Sequence, residues 1–163
     1  MPGYGIPEAD RGTGLLAWSW ASARLAEAHT YWLATTRSDG RPHAMPVWGI
    51  WLDDCFYFST GAESRKAHNL AALPACVVGT DSPTDALVLE GTARLVTDAA
   101  TLARFAATYG PKYAQEMAGF AEPVYAVEPT VAFAFLTGPG EFAGSATRWV
   151  FGPAESPGDA EVG

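Results

Sequence analysis

The sequence predicts a mainly β protein, an antiparallel barrel with a few covering helices, and three observations carry that prediction. Short runs rich in aromatic and β-branched residues recur along the chain: YWLATTR at 31–37, CFYFST at 55–60 and ALVLEGTARLV at 86–96. The connections between neighbouring runs are tight, with Asp39-Gly40 and Asp53-Asp54 supplying hairpin turn chemistry. Helical patterns are too few to follow every strand, as a parallel βαβ sheet would require.

The elements follow in order. Residues 1–14 are rich in Gly and Pro, lack the apolar stretch of a secretory signal, and read as a flexible N-terminus. One domain is expected over 15–151, opening with a helix at 15–28, where Leu15, Trp18, Ala21 and Leu25 recur at helical spacing. Strands at 31–37, 43–52 and 55–60 form a meander. Gly61 breaks the third, and a short helix at 63–73 is stopped by Pro74. Strands at 75–80 and 86–96 flank the polar loop 81–85. Asp98 is the expected N-cap of a helix at 99–109, Gly110-Pro111 breaks it, and 112–118 resumes it. Strands at 124–127, 130–137 and 147–151 close the domain. Residues 152–163, GPAESPGDAEVG, read as a disordered acidic tail.

Composition narrows the function. A chain of 163 residues fits one domain with an adequate core. Its net charge of −8 opposes binding to nucleic acid or an acidic membrane. No run approaches the ~20 apolar residues that span a bilayer, so a cytoplasmic location is expected. Cys55 and Cys76 stand apart with no metal-ligand spacing around them, so buried free thiols and no metal are expected. His29, His43 and His68 read as packing or surface residues. Six Trp either fill a core or offer flat surface to a planar ligand or a dimer interface.

The stretch 58–70, FSTGAESRKAHNL, carries the chemistry. A strand ends at Ser59-Thr60, the chain turns at Gly61, and Ser64-Arg65-Lys66 opens a helix. Free N–H groups and the helix dipole favour an anion there. Arg65 can clamp a phosphate with two prongs, Lys66 adds a point charge, and the hydroxyls of Ser59, Thr60 and Ser64 can donate further bonds.

In order and spacing, YWLATTRSDGRPHAMPVWGIWLDDCFYFSTGAESRKAHNL, VLEGTARLVTD and GSATRWVF resemble the pyridoxamine 5'-phosphate oxidase-like superfamily, and more closely its flavin/deazaflavin oxidoreductase branch. The resemblance implies a six-stranded antiparallel split β-barrel of the FMN-binding kind and a homodimer with cofactor sites at the interface. It places Pro46, Val47 and Trp48 along a tricyclic ring, and Ser59, Thr60, Ser64, Arg65 and Lys66 at its phosphate. Arg148 and Trp149 would reach the cofactor from the partner subunit.

PVWGIW and GSATRW point to coenzyme F420, a deazaflavin, with FMN as the alternative. The implied function is hydride transfer to a small molecule without a dedicated catalytic side chain. A non-catalytic flavin, deazaflavin or haem carrier is the competing class. Tyr109, Lys112 and Tyr113 are candidates for the substrate side. The chain departs from the pattern at Met45, His68 and Val150, where Thr, Arg and Arg are common, and it lacks the C-terminal Arg-x-His of true pyridoxamine phosphate oxidases.

Overall fold

The structure, a computed structural model, describes residues 14–152. Apart from Gly14 and Gly152, the two terminal expectations fall outside the described residues. In chain order the elements are α1 (Trp18–Glu27), β1 (Tyr31–Thr36), β2 (Pro42–Val47), β3 (Gly49–Leu52), β4 (Cys55–Ser59) and α2 (Arg65–Ala72). They continue with β5 (Ala75–Thr80), β6 (Asp85–Leu95), α3 (Ala99–Tyr113), β7 (Val124–Leu136), α4 (Phe142–Ser145) and β8 (Thr147–Val150).

All strand pairings are antiparallel, in the order β2-β1-β5-β6-β7-β4-β3, with β8 added to β7. The two strands at opposite ends of this order, β2 and β3, are consecutive in the chain and separated only by Trp48. The sheet must therefore curl until its ends approach each other at Trp48. That topology is a barrel left split along one seam.

The mainly β antiparallel reading holds, with eight strands among the described residues where the resemblance gave six. The element-by-element reading also counted eight: the strand expected at 43–52 divides at Trp48, two later ones merge, and β8 lies where 147–151 was expected. Two further expectations are corrected. The runs 124–127 and 130–137 are one strand, β7, because a register shift between Glu90 and Gly91 of β6 absorbs the interruption at Pro129. Gly91 is needed there, since a Cβ would meet the Glu128 backbone. Helix α3 also passes through Gly110-Pro111 and ends at Ala114, whose φ is 52°. Pro111 lies in the last turn, where the helix runs on without one backbone hydrogen bond. The single-turn α4 had no signal in the sequence.

Inside the barrel pack Tyr31, Leu33, Phe56, Phe58, Val78 and Leu89, with Ala21 and Leu25 of α1 joining this core. A second apolar cluster lies between β3–β4 and α3, centred on Ile50, Tyr57, Phe105, Tyr109 and Tyr113. Cys55 and Cys76 are buried free thiols, pushed by burial up to about 11 and about 12. No helix among the described residues is long and apolar enough to cross a membrane.

The remaining outer face is unusual. Cross-strand register places Trp32, Val77, Val88, Phe133 and Val150 on the side opposite the buried Leu33, Val78 and Leu89. A solvated face would alternate to polar residues. This one stays largely apolar, with Trp32 47% and Val150 65% exposed.

Candidate functional site

An open groove of about 320 Å³ lies beside the seam. Thr30, Pro46, Val47 and Trp48 line it together with Ser59, Thr60, Lys66 and Tyr109. Six of the ten residues singled out from sequence thus come together, although they are spread over β2, its break, the end of β4 and the start of α2.

The anion end is built around the α2 N-cap. Ser64 Oγ accepts from the Ala67 N–H at 3.2 Å and from the Thr60 hydroxyl at 3.0 Å. The Ser59 hydroxyl donates to the Pro123 carbonyl at 2.9 Å. Two of the three hydroxyl hydrogens are therefore spent within the protein, and the hydroxyl hydrogen of Ser64 remains to be donated. Arg65 is exposed and Lys66 half-buried, and neither forms an ion pair among the described residues.

Two residues that sequence reasoning missed complete this end. Arg37 follows β1 and His43 lies in β2. Arg37 Nε and His43 Nδ1 are buried without hydrogen-bond partners. The imidazole is held below its usual range by burial, then by the positive charges of Arg37, Lys66 and Arg65. All four basic side chains therefore act on one region. They converge because α2 docks on the β1–β2 hairpin: Asn69 Nδ2 donates to Thr35 Oγ1 at 2.9 Å, and Thr35 Oγ1 donates to the His43 carbonyl at 3.4 Å. No spacing rule exposes that docking. His68 turns away from the groove, with Nδ1 2.9 Å from the Ser64 carbonyl and Nε2 3.6 Å from Glu63.

The other end is aromatic. Trp48, 43% exposed, stacks on Tyr113 with ring centroids 4.9 Å apart and planes 6° from parallel. The Tyr113 hydroxyl accepts the Gly49 N–H at 2.9 Å and shares its own hydrogen between the carbonyls of Gly49 (2.7 Å) and His29 (2.8 Å). Burial pushes that phenol up to about 12. Gly49 must be glycine, because a Cβ would strike the Phe56 ring and lie 2.8 Å from the Tyr57 carbonyl oxygen. Tyr109 lines the groove, whereas Lys112 and Tyr113 face the junction of α1, β1 and β3 and not the groove.

Arg148 and Trp149 do not join the groove of their own chain. Arg148 is exposed on the outer sheet face, 5.8 Å from the Phe133 ring centroid. The Trp149 ring packs edge-on against Trp18 with centroids 5.3 Å apart, at the margin of the barrel core.

The fold and the groove define a split-barrel protein with a cluster of basic side chains at one end of the groove. The family described as pyridoxamine 5'-phosphate oxidase matches residues 21–135, and the chain belongs to it. No curated relative matches in sequence.

Among solved structures the chain is similar to a conserved hypothetical protein of Mycobacterium tuberculosis at 21% identity and TM-score 0.65, covering 72% of this chain and 82% of that one. An F420 reductase is similar at 21% identity and TM-score 0.57, with 68% and 94% covered. A haem-binding protein of Mycobacterium smegmatis is similar at 17% identity and TM-score 0.66, with 80% and 57% covered. Likeness at these identities establishes the shared fold.

Proposed function

We propose that the protein is an oxidoreductase that holds a phosphorylated tricyclic redox cofactor, coenzyme F420, at the interface of a homodimer and passes hydride to a small molecule. FMN is the alternative cofactor. The observation that carries the reading is the gathering of Arg37, Arg65 and Lys66 around His43, with Arg37 Nε and His43 Nδ1 unpaired and buried and with Lys66 also lining the groove. Buried polar atoms are normally bonded, and an anion would satisfy the Arg37 N–H, and His43 Nδ1 in the tautomer or charge state that carries hydrogen there. The breadth of the basic region favours F420, which carries acidic tail groups besides its phosphate.

When bound, F420 supplies hydride transfer alone, whereas FMN can also react with oxygen. The chain's own residues bind and orient. Lys66 and the Ser64 hydroxyl hold the phosphate, Arg65 clamps it from the exposed side, and Pro46, Val47 and Trp48 support the ring and keep water from one face.

The dimer is supported by the apolar outer face, on which Trp32 lies directly across the β1–β2 ladder from Pro46 of the groove. Contiguous exposed apolar surface of this kind marks an interface. Arg148 sits on the same face, so two copies joined there would bring Arg148 of one toward the groove of the other.

The test is spectroscopic. Added F420 should bind at micromolar levels with quenching of its fluorescence, and the reduced form should turn over with a panel of quinones, enones and tetrapyrroles. Co-purifying FMN without F420 quenching would replace the cofactor. Saturable binding without turnover would leave a carrier, and a haem spectrum on reconstitution would overturn the flavin-type reading.

A further inference from the structure

A half-buried ammonium lies behind the aromatic end of the groove. Lys112 Nζ donates to the Ala26 carbonyl at 3.1 Å, to Tyr31 Oη at 3.0 Å and to the Gly49 carbonyl at 3.1 Å. It lies 5.2 and 5.6 Å from the ring centroids of Tyr31 and Tyr113. Tyr31 Oη in turn shares its hydrogen between the carbonyls of Leu25 (2.5 Å) and Ala28 (2.8 Å). One cation thus ties together the C-terminal carbonyls of α1, the phenol of β1 and the peptide that follows Trp48. Cations are favoured at a helix C-terminus, but this one is paired with no carboxylate among the described residues.

We propose that Lys112 is a positioning residue: its ammonium fixes the Trp48–Gly49 bend, so that Trp48 stands at the groove as a rigid platform for a planar ring, and loss of that charge loosens the platform. The geometry gives the reason. Three N–H groups meet three acceptors on three different elements. A neutral amine keeps two N–H groups and no charge, so its bonds to the carbonyls lose their charge assistance, and the Tyr31 contact persists only if that phenol turns from the α1 carbonyls to donate to the amine. The Gly49 peptide would then be held chiefly by Tyr113, and Trp48 rides on that peptide and stacks on the same phenol.

Burial holds Lys112 well below an ordinary lysine, at about 8. The groups that face it are few. From β1 comes the Tyr31 phenol and from α3 the Tyr113 phenol; β3 offers a carbonyl only; α1 offers carbonyls, with Glu27 next to Ala26 exposed. His29, between α1 and β1, touches Tyr113 at a centroid distance of 4.7 Å. The platform is therefore expected to loosen just above neutral pH.

The chain contains two lysines, Lys66 and Lys112, so lysine-selective carbon labelling gives two side-chain signals to follow by NMR. In the cofactor-free protein the Lys112 signal should titrate near pH 8. The Trp48 indole N–H signal, assigned with Trp48→Phe, should shift with the same midpoint. Lys112→Met should leave the Trp48 signal independent of pH, and Lys112→Arg should hold it at its low-pH position throughout.

The cofactor arm of the test rests on the function proposed above. Affinity for added F420 should fall about fivefold across the midpoint in the wild type, the loss expected when a charge-assisted bond becomes a neutral one. It should be flat in Lys112→Arg. A Lys112 titration that leaves Trp48 unmoved overturns the proposal, and the wild-type measurement decides this even where a variant fails to fold. Trp48 moving while neither F420 nor FMN binds at any pH upholds the platform and overturns the cofactor reading. F420 binding with pH-independent affinity upholds the cofactor and overturns the role of Lys112 in holding it.

Discussion

The groove has two ends built in opposite ways. At the start of α2 the polar groups are left unsatisfied: Arg65 and Lys66 have no acidic partner among the described residues, and Arg37 Nε and His43 Nδ1 have no bond. At Trp48 the neighbouring polar groups are all engaged, through Tyr113, Lys112 and Tyr31. Under the proposed function, the difference follows from what each end would meet. A cradle for an anion must withhold its donors until the ligand arrives, and it gives up folding stability to do so. A platform for a flat ring gains nothing from free polar groups and much from a fixed position.

The largest expected effect tests the open end. Replacing Arg65 and Lys66 together by Ala should weaken binding of the phosphorylated cofactor by about 3–6 kcal/mol, since a charge-assisted bond contributes roughly 1.5–3 kcal/mol. Thermal unfolding of the cofactor-free double variant should hardly change, because both side chains reach solvent. Calorimetry showing full affinity would move the anion elsewhere.

The outer face comes next, because the dimer would bring Arg148 to the groove. Phe133→Glu places a charge in the middle of the apolar surface and should weaken association by about 2 kcal/mol or more, the scale of an interface hot spot. Sedimentation should then report a monomer. An unchanged mass would show that association, if any, uses another surface.

A smaller effect probes the closed end. Tyr113→Phe removes the acceptor of the buried Gly49 N–H and should cost about 1–3 kcal/mol of folding stability, the penalty for an orphaned buried donor. Denaturant unfolding measures it. A loss near zero would mean that the aromatic stack and the Lys112 bond hold the bend without the Tyr113 hydroxyl.

The smallest effects are those of pH, read as folding stability at one end and as ligand affinity at the other. Lys112 titrates at about 8 in the folded chain against 10.5 for a free lysine. Between those values the unfolded chain binds the extra proton, so this group makes stability rise with pH across that window. The wild-type minus Lys112→Met difference in Tm should follow that sign. His43 is lowered by burial and by its basic neighbours. A bound anion raises it again, so phosphate-bearing ligands should bind more tightly as the pH is lowered through the imidazole range. Affinity unaffected by His43→Gln under acid conditions would remove His43 from the cradle.

Much of this was legible from residues. The Ser64-Arg65-Lys66 helix start, the Asp98 N-cap and the Asp-Gly hairpin are written in local chemistry, and each stands in the structure where it was expected. Side-chain hydroxyls illustrate a limit: Ser59 and Thr60 look like anion donors in the sequence, yet their hydrogens go to Pro123 and Ser64. Such a choice depends on which groups lie across the turn. Arg37 and His43 were overlooked for the same reason, because nothing in a hairpin reveals that a later helix will dock on it. Lys112, three residues after a tyrosine that does line the groove, looked equally well placed and faces the other way.

What the sequence determined by itself was most of the local elements, the antiparallel barrel class and the capped helix start at Ser64-Arg65-Lys66, because these depend on residue periodicity, turn chemistry and capping over a few positions. Tertiary structure alone decided where the curled sheet breaks, which cations share a region and which polar groups are left free. Those properties arise from contacts between residues tens of positions apart, where burial and the competition for hydrogen-bond partners are settled only once the chain has closed on itself.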